Sequence, residues 1–185
     1  VTLDLAKGEA LGLVGESGSG KTTVGRCLLR LVEPTSGRIL FDGTDISGLS
    51  GAALRAARKR MQIVFQDPFD SVNPRWTIAD ILSEPLRVHG IAGDRRAKAA
   101  EALDLVDLPA SLLDRKPRGL GASTLQRVNI ARALILNPEF VLLDEPTSVL
   151  APRARTALSA REAVIPSSQP KRKQPMTDPA HPSCQ

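Results

Sequence analysis

The chain has 185 residues, 42% of them hydrophobic, and a net charge of +5, which suits one globular domain. No uninterrupted apolar run is close to the length of about 18 residues that a helix needs to span a bilayer. The amino-terminal segment contains an acidic residue and no basic region, which is unlike a signal peptide. The positive charge selects no partner, and the two cysteines, Cys27 and Cys184, predict a reduced, cytoplasmic protein rather than a disulfide framework.

Hydrophobic periodicity predicts alternating strands and helices along most of the chain. Pro68, Pro74 and Pro85 predict loops in a mainly helical part. After Ala151 the chain becomes rich in proline and has no aromatic residue, which predicts disorder. Strands are expected over residues 10–14, 38–41, 61–65 and 140–143, and helices over 22–31, 52–60, 78–83, 95–106 and 125–136.

A glycine-rich segment after the first predicted strand matches the phosphate-binding pattern G-x-x-x-x-G-K-[ST] in full. The glycines let backbone N–H groups point at a phosphate, the lysine supplies a positive charge, and the last hydroxyl binds Mg²⁺. A flexible glycine–serine loop is the alternative, and the flanking strand and helix argue against it. The residues expected to bind a nucleoside triphosphate are Gly15, Glu16, Ser17, Gly18, Ser19, Gly20, Lys21, Thr22 and Thr23.

An acidic pair, Asp144 and Glu145, follows the last predicted strand. Sheets of α/β proteins place ligand sites at the carboxyl ends of their strands. We therefore expect Asp144 to hold Mg²⁺ through water and Glu145 to polarise the attacking water. The alternative is an acidic pair that only ends a strand, and the phosphate-binding loop argues against it.

Four motifs in a fixed order carry a family resemblance. Beside the phosphate-binding loop they are the segments 64–75, 126–134 and 142–148. Segment 64–75 contains Gln66-Asp67-Pro68 and then Asn73-Pro74-Arg75. It resembles the Q-loop of the oligopeptide and dipeptide subfamily of ABC importers. Over most of residues 1–151 the chain resembles the ATP-binding subunits of ABC importers.

The resemblance implies an α/β fold of the P-loop NTPase (ABC ATPase) type, a three-layer core with a helical subdomain, C-terminally incomplete. The expected parts are a P-loop core with a small β-subdomain at 1–65, the Q-loop and helical subdomain at 66–119, the signature helix, Walker B strand and D-loop at 120–151, and a disordered tail at 152–185.

The resemblance also implies ATP and Mg²⁺ as cofactors, with Thr22, Gln66 and Asp144 as metal ligands and with Glu145 and Gln66 as catalytic residues. In the family two such domains sandwich two ATP molecules and couple hydrolysis to solute import. The implied partners are transmembrane subunits and a second nucleotide-binding subunit, identical or different, and no nucleic acid. The implied location is peripheral, on the cytoplasmic face of the bacterial inner membrane, and the implied solute is a peptide.

The family's signature, LSGGQ, falls on residues 120–124, where only Leu120 is kept. Ala122 and Ser123 replace glycines, and we expect them to resist a positive φ or a close phosphate and so to weaken this half of the sandwich. Ser123 and Thr124 could still cap the helix that follows.

Three other family features are missing. The D-loop ends in Ala151 in place of an aspartate, and no aromatic residue precedes Gly15 to stack on adenine. The chain has two histidines, His89 and His181, and neither follows a predicted strand as the family's switch histidine does.

Two further functions stay open beside that of a transport ATPase. One is a catalytically impaired nucleotide-binding fragment of a truncated or frameshifted gene, which the altered signature, the missing switch histidine and the abrupt change of pattern after Ala151 support. The other is a soluble ABC-type ATPase of DNA maintenance. The segment 64–75, and the lack of a coiled-coil or zinc-binding insertion, argue against that class.

Overall fold

Strands and helices alternate along the chain, which confirms the predicted α/β class. The computed structural model describes residues 1–144 and the backbone of 162–167. The elements are β1 (Ala10–Val14), α1 (Lys21–Leu28), β2 (Leu40–Phe41), β3 (Thr44–Asp45), α2 (Gly51–Arg60), β4 (Met61–Val64), α3 (Ile78–Val88), α4 (Arg95–Asp104), a 3₁₀-helix (Ala110–Asp114), α5 (Ala122–Leu134), β5 (Phe140–Leu143) and β6 (Glu162–Ser167).

The central sheet has the strand order β1-β6-β5-β4, and every pair in it is parallel. Each residue of β5 is buried, because β5 has a strand on both sides and helices pack on the sheet. The register of β4 and β5 aligns Val64 with Leu143, so both strands end at the same edge. That edge is where sheets of this class place their ligands.

Two apolar clusters hold the fold together. The larger one joins α3, α4 and α5 to the sheet, and its Ile81, Leu103 and Val128 are at most 1% exposed. The smaller one lies beneath the hairpin formed by β2 and β3 and includes Phe41 and Ile46. Aliphatic side chains dominate both clusters, as the scarcity of aromatic residues predicts.

The helix α3 begins at a capping box and continues further than predicted. The Thr77 hydroxyl accepts a hydrogen bond from the Asp80 amide at 3.1 Å, and the Asp80 carboxylate accepts from the Thr77 amide at 3.0 Å. These bonds from Thr77 lower the pKa of Asp80. The prediction that Pro85 lies in a loop is wrong, because α3 passes through it. Burial of Ile81, Leu82 and Leu86 on one face of α3 offsets the hydrogen bond that proline cannot donate.

The helix α1 ends earlier than the sequence pattern predicts. It stops at Leu28, and Arg30 adopts a φ of +54°, a left-handed conformation that ends a helix. No helix in the residues that the structure describes is long and apolar enough to cross a membrane.

The prediction that all of 152–185 is disordered is wrong for Glu162–Ser167, which form β6 between β1 and β5. A proline at position 166 counts against a central strand. However, β5 pairs with β6 only as far as residue 164, so Pro166 faces a strand on one side only, where it aligns with Leu13. The rest of the predicted tail lies outside the described residues.

Candidate nucleotide-binding site

The loop between β1 and α1 has the backbone that phosphate binding needs. Gly18 and Gly20 have φ values of +81° and +91°, which side-chain-bearing residues rarely adopt. Gly20 is the N-cap of α1, and no side chain caps the helix. The N–H groups of its first turn therefore have no side-chain acceptor, and an anion can bind there.

The ammonium group of Lys21 lies against the backbone of the same loop. Its Nζ donates to the carbonyl oxygens of Gly15 and Glu16 at 2.7 Å each, and Ser19 Oγ lies 3.4 Å away. A Cβ at Gly15 would stand 2.8 Å from Ser19 Oγ, so the Ser19 side chain would have to rotate to admit one. The positive charge of Lys21 is thus held against the backbone of the phosphate-binding loop.

The hydroxyl of Thr22 meets the carboxylate of Asp144, and both belong to the side chains that we expect to bind the metal. Thr22 Oγ1 donates to Asp144 Oδ1 at 3.1 Å, although the residues are 122 positions apart. Asp144 is 4% exposed, and its amide donates to the carbonyl of Val64 at 2.9 Å, which fixes it at the end of β5. Gly25 brings α1 close to this strand, since a Cβ there would be 2.8 Å from Leu142 Cδ2.

The remaining predicted site residues have different outcomes. Gln66 is exposed and lies just after β4, at the same sheet edge as Asp144. Thr23 is exposed in the first turn of α1. Glu145 lies outside the described residues. Ala151 and His181 lie outside them too.

The family described as ABC transporter matches residues 1–148. The chain belongs to this family. Its α/β architecture is that of solved ABC cassettes. A dimeric ATP-binding cassette, MJ0796, bound to ADP and Pi, has a TM-score of 0.77 and 27% identity, covering 91% of this chain and 78% of that one.

Curated relatives of this ABC chain are named for peptide transport. A Brucella ovis relative whose name refers to peptide import is 51% identical over 152 residues, covering 81% of this chain and 48% of the relative. The oligopeptide transport ATP-binding protein AppF of Bacillus subtilis is 50% identical over 153 residues, covering 81% and 46%. The chain spans about half the length of the curated relatives it matches.

The signature segment of this ABC chain differs from the expectation. Gly121 is the N-cap of α5 and no side chain caps the helix, so the prediction that Ser123 and Thr124 could cap it is wrong. Ala122 and Ser123 form the exposed first turn of α5, so no positive φ is needed at either residue. The positive φ in this region, +91°, belongs to Gly119. The expectation that the side chains of Ala122 and Ser123 hinder a close phosphate stays a prediction.

One group of polar residues near the site is not predicted from the sequence. Gln126, Asn129 and Arg132 lie on one face of α5, and we call them the polar seam. Gln126 and Asn129 are 1% and 2% exposed. Two amides at three-residue spacing among the buried apolar residues of the helix are the signal that could have revealed them.

Proposed function

We propose that the chain binds ATP with Mg²⁺ and hydrolyses it as the ATPase subunit of an ABC importer for peptides. The contact between Thr22 and Asp144 is the observation that supports this most strongly. It brings together two of the three side chains that the sequence analysis assigns to the metal, beside the phosphate-binding loop.

The loop supplies the contacts for the phosphates. Backbone N–H groups of the loop and of the first turn of α1 bind the β-phosphate, and the helix dipole favours its negative charge. Lys21 exchanges carbonyl contacts with Gly15 and Glu16 for phosphate oxygens. Thr23 adds a hydroxyl on the exposed side of the loop.

The residues around the Thr22–Asp144 pair fit Mg²⁺, which prefers oxygen ligands and keeps several waters. Thr22 offers a hydroxyl, Asp144 a carboxylate and Gln66 an amide oxygen. Bound there, Mg²⁺ supplies positive charge that offsets the charge on the transferred phosphoryl group. Asp144 is held in place by its backbone bond to β4 and does not need to move for this role.

Two residues act on the attacking water. Glu145, directly after Asp144, takes its proton, and Gln66 orients the water from the end of β4. Both follow strands that end at one edge of the sheet, since Val64 and Leu143 are paired in register.

The proposed partners rest on the comparisons. Relatives at 51% and 50% identity are named for peptide import and oligopeptide transport. The solved cassette at 27% identity is dimeric. We therefore propose a second nucleotide-binding subunit, transmembrane subunits, and a position on the cytoplasmic face of the cell membrane. The exposed, uncapped start of α5 would face the ATP of the second subunit.

Steady-state release of phosphate from Mg–ATP tests the proposed hydrolysis. We expect Glu145→Gln to lower turnover by about 10²-fold or more, as for loss of a general base, with unchanged ATP affinity. Glu101→Gln, an exposed carboxylate on α4, is the matched control and keeps full turnover. Equal turnover in the wild type and Glu145→Gln would contradict the role of Glu145, and ATP binding without any turnover would contradict the proposed hydrolysis.

A further inference from the structure

The polar seam of α5 holds the segment that contains Gln66. Each of its three side chains donates one hydrogen bond to a backbone carbonyl of loop 65–71. Donor and acceptor are 61 residues apart in every case, so a donor further along the helix bonds to a carbonyl equally further along the loop. The pairs are Gln126 Nε2 with the carbonyl of Phe65 at 3.5 Å, Asn129 Nδ2 with that of Pro68 at 3.0 Å, and Arg132 Nη1 with that of Ser71 at 2.6 Å.

Burial of the polar seam costs free energy, because buried polar groups lose their hydrogen bonds to water. Gln126 and Asn129 are almost completely enclosed, and their acceptor oxygens, Oε1 and Oδ1, have no partner among the described residues. Burial also lowers the pKa of Arg132, an effect that Glu84 partly opposes. Apolar side chains would fill the same space at lower cost. The position of the polar seam is therefore better explained by the loop it holds than by core packing.

Loop 65–71 is itself a compact turn. The carboxylate of Asp67 accepts from the amides of Phe69 and Asp70 at 2.7 Å and 3.3 Å. The hydroxyl of Ser71 donates to the carbonyl of Asp67 at 2.7 Å. A turn braced in this way moves as one piece, so three external bonds are enough to fix its position.

Gln66 lies between the first two anchor points, the carbonyls of residues 65 and 68. We propose that Gln126, Asn129 and Arg132 are positioning residues, which hold loop 65–71 so that Gln66 stays at the sheet edge that carries Asp144. The polar seam also ties Gln66 to the helix that begins with the signature segment. This inference rests on the proposed function, because the role of Gln66 toward Mg²⁺ belongs to it.

Hydrogen exchange of the free protein tests the anchoring without any nucleotide. Asn129→Leu and Arg132→Met each remove one donor at similar volume, and Arg132→Lys keeps a charged donor. We expect faster exchange confined to residues 66–72 in the first two variants and near wild-type exchange in Arg132→Lys. Arg96→Met is the matched control, since it removes an exposed ion pair with Asp114 outside the polar seam. Unchanged exchange in residues 66–72 in Asn129→Leu would overturn the anchoring.

The affinity for ATP, measured in Mg²⁺ and again in EDTA, tests the role toward Gln66. We expect Gln66→Ala and Asn129→Leu each to reduce the gain in affinity due to Mg²⁺ by about 10-fold, as for loss of a residue that orients a metal ligand. Affinity in EDTA stays unchanged in both. The double variant should lose no more than either single variant, because both act through the same amide.

The outcomes separate this inference from the proposed function. Equal losses in Mg²⁺ and in EDTA would show a merely structural role for Asn129 and overturn the positioning role, and so would additive losses in the double variant. If the wild type binds no ATP, the proposed function fails. The exchange of residues 66–72 in Asn129→Leu then decides the anchoring on its own.

Discussion

The hydroxyl of Thr22 donates a hydrogen bond to the carboxylate of Asp144 at 3.1 Å, across 122 residues of sequence. This bond joins the first turn of α1 to the end of β5. Two structural features make it possible: Asp144 is anchored to the carbonyl of Val64, and Gly25 lets α1 approach Leu142. The packing of the fold therefore brings together Thr22 and Asp144, two of the three predicted metal ligands.

Removing either partner of this bond should weaken the binding of Mg–ATP. We expect Asp144→Asn and Thr22→Val each to lower affinity in Mg²⁺ by about 10-fold or more, as for loss of a group in a metal site, and to change affinity in EDTA little. Titration of a fluorescent ATP analogue measures both values. Asp107→Asn, at an exposed carboxylate in the link after α4, is the matched control. The same affinity for Mg–ATP in all four proteins would exclude the metal site.

Replacing Gly25 by alanine should destabilise the fold. The new Cβ would lie 2.8 Å and 3.0 Å from the two δ-carbons of Leu142, which is 1% exposed and has little room to move. We expect the free energy of unfolding to fall by about 1–3 kcal/mol, the range for overpacking. Denaturant unfolding followed by circular dichroism measures it.

Gly48→Ala is the control for this variant, because no atom lies within 4 Å of a Cβ at Gly48. We expect it to be neutral or to stabilise by up to about 1 kcal/mol through the unfolded chain. Equal stability of the two variants would show that α1 does not approach β5 at Gly25.

Stability should fall between pH 7.5 and pH 5.5 because of His89. Burial, and then the charges of Lys59 and Arg55, lower the pKa of His89 in the folded state. Below about pH 6.5, the ordinary value for histidine, the unfolded chain binds more protons at this residue, so folding loses free energy as pH falls toward the lowered pKa. Asp80, whose pKa is also lowered, titrates below this window.

The matched variant for the pH effect is His89→Gln, which cannot gain the charge. Thermal unfolding at several pH values should show a smaller decline for His89→Gln than for the wild type between pH 7.5 and pH 5.5. Parallel pH profiles for the two proteins would assign the decline to other groups.

Restoring the family's signature should raise turnover. The combined variant Gly121→Ser, Ala122→Gly, Ser123→Gly and Thr124→Gln removes the side chains at 122 and 123, which we expect to hinder a phosphate at the start of α5. A recovered donor to the transition state is worth about 10²-fold or more in turnover. Phosphate release at high protein concentration, which favours the proposed dimer, measures the gain. Lower or equal turnover would show that Ala122 and Ser123 do not limit hydrolysis.

The sequence predicts those parts of the structure that depend on local pattern. The phosphate-binding loop is found because glycine spacing and one lysine define it, and β4 and β5 are found as short apolar runs. Whole-chain packing decides the features that were not predicted. β6 forms from a proline-containing segment because it pairs with β1 on one side and β5 on the other. α3 continues through Pro85 because its buried face outweighs one lost hydrogen bond.

The site shows the same division. Thr22 and Asp144 are each predicted as metal ligands from their motifs, and the structure brings them into contact. The polar seam is not predicted, because its bonds to carbonyls 61 residues away depend on how α5 packs against the loop after β4. Side chains that contact the backbone of a distant segment leave only a weak trace in sequence periodicity.

Equilibrium binding of Mg–ATP to the wild type and to Lys21→Ala tests the central claim most directly. Lys21 stands inside the phosphate-binding loop, and the variant removes the charge that the phosphates meet there. We predict saturable binding by the wild type and a loss of about 10²-fold or more in Lys21→Ala, the scale of a truncated binding hot spot. Equal affinity of the two proteins, or no binding by the wild type, would contradict the assignment of residues 15–22 as the nucleotide site.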